Sequence, residues 1–262
     1  MPFFFFVLCR ETSCSMRKKS YFCDQIFCMK YNRILLKLSG ESLMGNGNYG
    51  INYQAVLHYA TEIKSAVEAG VQVGVVIGGG NIFRGVQGAD KGFDRRQGDQ
   101  MGMLATIINA MAVQAVLEEL GVKAKVLTAV SIEGVSEKIS WRKAVETLEQ
   151  GYVAILGGGT GNPFFTTDSG AALRAVEIKA DLLLKGTRVD GVYSADPEKD
   201  PNATKYSTLT FDEAYEKHLK IMDMTAFTLC KENNMPIYVY DANQPGNLFK
   251  VLNGEPIGTL LK

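Results

Sequence analysis

The chain has 262 residues, enough for one large α/β domain or two small ones. Its 28 Lys and Arg balance 28 Asp and Glu, which excludes a polyanion binder that works by bulk attraction. With 46% hydrophobic and 21% charged residues it is no disordered chain, and no uninterrupted apolar run approaches the ~18 residues of a membrane span.

The first 28 residues stand apart. They hold Cys9, Cys14, Cys23 and Cys28, four of the five cysteines, six of the 13 phenylalanines and none of the 27 glycines. Arg10, Arg17, Lys18 and Lys19 against Glu11 and Asp24 give this stretch +2 and leave the rest at −2. A secretory signal would need basic residues before the apolar stretch and a small-residue cleavage site. A zinc site would need closer cysteine pairs. The reading adopted is a non-native or disordered N-terminal extension over residues 1–28, from an upstream start, with translation beginning at Met29. Residues 29–262 then form a single domain.

From Tyr31 onward, strands and helices alternate. Arg33 to Ser39 reads as a strand, and Asn52 to Ala69 as an amphipathic helix stopped by Gly70. Val71 to Ile77 is a second strand, so a βαβ unit with parallel strands opens the domain. The spacing then predicts helices over Asp99–Leu120, Trp141–Gln150, Ser169–Lys179, Phe211–Leu219, Thr225–Asn233 and Gly246–Leu252. Strands are predicted over Lys123–Thr128, Tyr152–Leu156, Asp181–Lys185 and Pro236–Tyr240. The strands are short and apolar throughout, as expected when helices cover both faces. The expected fold is a three-layer α/β/α sandwich with a mostly parallel central sheet. The helix from Asp99 is apolar nearly all round, which suits a core helix or one that also forms a subunit interface.

Glycine clusters end three strands: Ser39-Gly40, Gly78-Gly79-Gly80 and Gly157-Gly158-Gly159-Thr160-Gly161. At the carboxyl ends of parallel strands, such turns let backbone amides approach a phosphate. No Gly-x-x-x-x-Gly-Lys-Ser/Thr occurs, and Gly45–Gly50 matches GxGxxG too far from its strand for a dinucleotide fingerprint. Lys37 and Lys185 lie in otherwise apolar strands, where a lysine needs a partner. Two of them near a phosphate-type site suggest neutralisation of a transferring phosphoryl group. Arg84 is placed for a phosphate contact. Asn162-Pro163-Phe164-Phe165 is a stiff loop of the kind that shapes a pocket, while Thr167, Asp168 and Ser169 read as helix-capping residues. His58 and His218 fall on predicted helices and read as surface or packing residues.

Taken together, five runs resemble the bacterial-type UMP kinases of the amino-acid kinase family. They are Lys37-Leu-Ser-Gly-Glu-Ser, Gly74 to Gly85, Gly98 to Thr106, Thr160 to Asp168 and Lys185 to Pro197, and the likeness covers Tyr31 to Lys262. The resemblance implies an amino-acid kinase-like fold and the reaction ATP + UMP → ADP + UDP with Mg²⁺. It implies that Lys37, Leu38, Ser39 and Gly40 line the ATP phosphate channel. Gly80 and Arg84 would lie between the phosphates, and Thr187, Tyr193 and Asp196 would hold the nucleoside of ATP. Gly79, Asp99 and the loop Thr160, Gly161, Asn162, Pro163, Phe164, Phe165, Thr166 and Thr167 would hold UMP, with Asp99 on the sugar. Asp223 would orient the lysines, so the catalytic set is Lys37, Arg84, Lys185 and Asp223. The resemblance also implies a homohexamer, and GTP activation through Gly45, Asn46, Gly47, Asn48, Tyr49 and Gly50, with UTP inhibiting. No protein-only metal site, nucleic acid or membrane is expected. A single cysteine beyond the extension suits a reducing cytoplasm. The rival readings are a relative that phosphorylates a carboxylate or carbamate, and a non-catalytic nucleotide-binding homologue.

Overall fold

The computed structural model describes residues 29–83, 92, 94–197 and 199–262. The N-terminal extension and Arg84 lie outside the described residues.

The domain is built on a nine-stranded sheet. Its strands are β1 (Arg33–Leu38), β2 (Gln72–Ile77), β3 (Ala124–Thr128), β4 (Glu137–Lys138), β5 (Val153–Gly157), β6 (Leu182–Thr187), β9 (Thr208–Leu209), β10 (Ile237–Asp241) and β11 (Thr259–Leu261), while β7 (Val192–Tyr193) and β8 (Lys205–Tyr206) form a separate hairpin. The sheet order is β4-β3-β5-β2-β1-β6-β10-β11-β9. Neighbours pair parallel except β10 with β11. The chain leaves β1 toward β2 on one side and leaves β6 toward β10 on the other. The crevice at the carboxyl ends of β1 and β6 is therefore a topological switch point, the usual ligand site of an open α/β sheet.

Alternation along the strands feeds two cores. Ile34, Leu36 and Leu38 of β1 and Leu182 and Leu184 of β6 face one core, packed with α1 (Tyr53–Glu68), α2 (Arg95–Glu119) and α7 (Asn247–Leu252). Leu35 and Leu183 face the other, packed with α3 (Trp141–Glu149), α4 (Thr167–Glu177), α5 (Phe211–Glu216) and α6 (Met224–Glu232). Two helical layers on one sheet give the expected three-layer sandwich.

The structure corrects several boundaries. The second helix, α2, begins at Arg95 rather than Asp99, because Asp94 caps it through the Arg96 amide at 2.9 Å and Gly98 is buried inside the helix. Helix α5 ends at Glu216, and His218 stands beyond it in a left-handed turn at φ 52°. Strand β11 and the two-residue strands were not expected; they are too short for a periodic signal. By length and composition α2 also reaches the threshold for crossing a membrane. Uninterrupted runs miss this because Thr106, Asn109 and Gln114 punctuate it. Here Ile107, Ala110, Val113 and Leu117 are buried in the fold, while Leu104, Ile108 and Met111 form an exposed apolar stripe.

Candidate active site

The site starts from strand register. Lys37 on β1 lies opposite Lys185 on β6, and each stands two residues beyond a leucine of the same core face. Both ammonium groups therefore rise on one side of the sheet at the switch point. Like charges on neighbouring strands repel, and Asp168 bridges them. Lys37 Nζ lies 2.9 Å from Asp168 Oδ1 and Lys185 Nζ lies 2.8 Å from Oδ2. Lys185 also donates to the Ile221 carbonyl at 2.5 Å. Asp168 sits in the first turn of α4, where the helix dipole favours a carboxylate.

The cluster is mostly shielded from water, and its charges shift accordingly. Burial pushes the Asp168 carboxyl up, but the ammoniums of Lys37 and Lys185 outweigh it and hold the group below the usual carboxylate range. Burial lowers Lys185 below the ordinary lysine value; Asp168 opposes that shift and Lys37 adds to it. Nearby, burial pushes the Cys230 thiol up to about 12, so this sulfur stays protonated.

Asp223 acts on Lys185 through its charge, favouring the ammonium, while its direct bonds go elsewhere. It caps α6 through the Ala226 amide at 2.9 Å, accepts from Ser169 Oγ at 3.0 Å and accepts from the Thr166 hydroxyl. Thr166 in turn caps α4. Asp223 thus ties together the starts of α4 and α6, and the carboxylate that touches both lysines is Asp168. The resemblance gave the lysine-orienting role to Asp223 and Asp168 read only as a helix-capping residue, whereas Asp168 is the carboxylate in contact with both ammoniums.

Two cavities flank the lysines. The first, about 490 Å³, is lined by Gly79, Gly80, Asp99, Thr160, Asn162, Phe165, Thr166 and Thr167 of the expected set, together with Arg95 and Thr106. Gly161, Pro163 and Phe164 belong to the same loop but not to this lining. The second, about 510 Å³, is lined by Lys185, Thr187, Tyr193 and Asp196, with Lys217, His218 and Lys220 added by the turn after α5. Asp168 directly follows Thr167 of the first cavity, and its partner Lys185 lines the second. The bridge therefore lies between the two, with Lys185 in the second lining and Lys37 in neither.

Glycine is required at two positions by close approach. A Cβ on Gly40 would lie 2.5 Å from the Gly78 carbonyl, and one on Gly79 would lie 2.8 Å from both Ala105 Cβ and the Gly102 carbonyl. The turn after β2 is thereby wedged between the turn after β1 and α2. Asn81 and Asn109, both buried, pair through their amides, and Asn109 donates to the Gly78 carbonyl at 2.7 Å. Thr106 accepts from the Gly158 amide at 2.8 Å, tying the turn after β5 to the same helix. Asn81 and Thr106 carried no sequence signal beyond their place in long matching runs, and Asn109, past the end of the Gly98–Thr106 run, carried none.

Other expected residues act locally. The Leu38 side chain is core, and only its backbone faces the site, with its carbonyl accepting from Gly78 at 3.0 Å. Thr187 Oγ1 bonds the Val189 backbone, Tyr193 donates to Asp190 at 2.6 Å, and Asp196 pairs with Lys199 at 3.1 Å. The Gly45–Gly50 loop lines neither cavity. It docks through Gly50, whose amide donates to the Asn81 carbonyl at 2.9 Å and whose carbonyl accepts from the Asn81 side chain at 2.8 Å.

A sheet with its switch point under a lysine–aspartate–lysine bridge, glycine turns beside it and a cavity on each hand defines a two-substrate phosphotransfer site. Residues 32–241 match the Amino acid kinase family, and the chain belongs to that family. It is 62% identical over 232 residues to a uridylate kinase of Parabacteroides distasonis, covering 88% of this chain and 98% of that one. It is 62% identical over 229 residues to a uridylate kinase of Porphyromonas gingivalis, covering 87% and 96%. The solved UMP kinase of Bacillus anthracis superposes with a TM-score of 0.86 at 37% identity, covering 88% of this chain and 96% of that structure.

Proposed function

We infer that the chain transfers the γ-phosphoryl group of ATP to UMP, giving ADP and UDP. The observation that carries this is the Lys37–Asp168–Lys185 bridge between two cavities. UMP occupies the cavity edged by Gly79, Asp99 and the Thr160–Thr167 loop, and ATP occupies the one edged by Thr187, Tyr193 and Asp196. The UMP phosphate is already a nucleophile, so the protein has to align it with the γ-phosphorus and neutralise charge. Lys37 and Lys185 supply that charge, and Asp168 holds both ammoniums in place. Arg84 adds a contact between the phosphates, and Asp223 fixes the two helix starts around them.

Mg²⁺ enters with ATP. Among the described residues no group of three or more His, Cys, Asp and Glu gathers to cage a metal, and Asp168 is already shared by two lysines. That donor set fits a cation that keeps its waters and is held by substrate phosphates. When bound, the ion screens the phosphate oxygens.

The enzyme is further proposed to act in pyrimidine nucleotide synthesis in the cytoplasm, as a homohexamer. The exposed stripe of Leu104, Ile108 and Met111 supports contact with another copy. GTP activation through Gly45–Gly50 and UTP inhibition complete the reading, supported by the docking of that loop on the turn after β2.

An ADP-release assay with UMP, CMP and acetylglutamate as acceptors tests the substrate. UMP should support turnover and acetylglutamate should not; turnover with acetylglutamate alone would overturn the reading. Two further outcomes follow from the geometry. Gly79→Ala must push α2 and the phosphate turn apart, so kcat/KM for UMP should fall by about 10²-fold. Free-enzyme Lys185 loses its proton below the ordinary lysine value of about 10.4. The alkaline limb of kcat/KM should therefore lie below that value, and whatever activity Lys185→Arg retains should lack the limb.

A further inference from the structure

We propose that Arg95 is a positioning residue for the sugar hydroxyls of the acceptor nucleotide, acting through Asp99. This rests on the reading of the first cavity as the UMP site and deepens it. Because α2 starts at Arg95, that residue lies one turn before Asp99 on the same face. Arg95 Nε lies 3.0 Å from Asp99 Oδ1 and 2.9 Å from Oδ2, and both residues line the first cavity. A donor shared by both oxygens fixes the plane of the carboxylate, which a single bond to one oxygen would leave free to turn.

The same carboxylate has a second task. Its Oδ2 accepts the Phe164 amide at 2.8 Å, and Phe164 has φ 73°, a left-handed conformation that bulky residues rarely adopt. Asp99 thus clasps the acceptor loop to α2. Its side chain is only 11% exposed against 41% for Arg95, so the carboxylate has little water to fall back on. A carboxylate has about four acceptor positions. Arg95 and Phe164 take those on the protein side, and the remaining capacity faces the cavity. A neutral hydroxyl donor suits it. In UMP such donors are found on the ribose, whereas the phosphate would be repelled.

The test compares UMP with 2′-deoxy-UMP and 3′-deoxy-UMP in the full chain. The wild type should prefer UMP over at least one deoxy form by about 10-fold or more in kcat/KM, as expected for a hydrogen bond to a charged group. Arg95→Met should lose about 10-fold with UMP, mainly in KM, and about threefold or less with that deoxy form, so the preference collapses toward one. Arg95→Lys keeps the charge without the bridging Nε and should show the same collapse. Equal losses with both substrates, an unchanged preference, or a lysine variant with the wild-type preference would overturn the proposal. If Arg95→Met does not fold, the lysine variant decides. A wild type that turns over no UMP would instead overturn the reading of the reaction.

Discussion

Replacing Lys37 with methionine should lower kcat for UMP phosphorylation by about 10²–10³-fold while the chain stays folded. The magnitude is that of removing one preorganised charge from a developing phosphoryl transition state. Methionine keeps the apolar stem that packs along β1. Asp168 keeps Lys185 as its partner at 2.8 Å, so no isolated charge is left behind. UMP binding should change little, because the first cavity is lined by other residues. Steady-state kinetics with saturating ATP and a thermal melt check both halves. A variant with wild-type turnover would remove the phosphate role of Lys37.

Asp168→Asn should be worse on both counts. It leaves two ammoniums, 12% and 16% exposed, side by side on adjacent strands without the carboxylate that bridges them. Breaking a buried ionic group by removing one partner costs about 3 kcal/mol, or a fall in Tm of about 6–12 °C for a chain of this size. One lysine must then shed its proton or swing toward water, and either way the phosphates lose a ligand. Turnover should drop at least as far as in the Lys37 variant. The pH dependence has a defined sign. The folded-state carboxyl lies below its unfolded value of about 3.9. Its stabilisation is therefore full above that value and is lost as pH falls through the lower, folded one. Acid titration of stability should show this loss in the wild type and not in the asparagine variant.

The alternation of short apolar strands with amphipathic helices and the three glycine turns made the sheet and its ligand edge legible in the sequence, since both follow from local pattern and backbone freedom. The two lysines were legible for the same reason: each breaks an apolar strand and asks for a partner. Their partner was not, because Asp168 and Asp223 both stand at helix starts and only tertiary packing decides which one reaches the sheet. Arg95 stands four residues before Asp99, where the expected helix begins; in the fold Gly98 is buried within the helix and the cap lies at Asp94. Asn81 and Asn109 are 28 residues apart and meet only when the turn after β2 closes on α2. Strand β11 returns antiparallel at the far side of the sheet, where three residues hold no readable period. Lys217 and Lys220 join the second cavity because α5 stops one turn early.

The most direct measurement follows the phosphoryl group itself. The full chain is incubated with γ-labelled ATP, Mg²⁺ and UMP, and the nucleotides are separated. The account predicts label in the β-phosphate of UDP, formed at the rate ATP is consumed and abolished by omitting UMP. ATP consumption with the label in inorganic phosphate alone, or at the same rate without UMP, would contradict it.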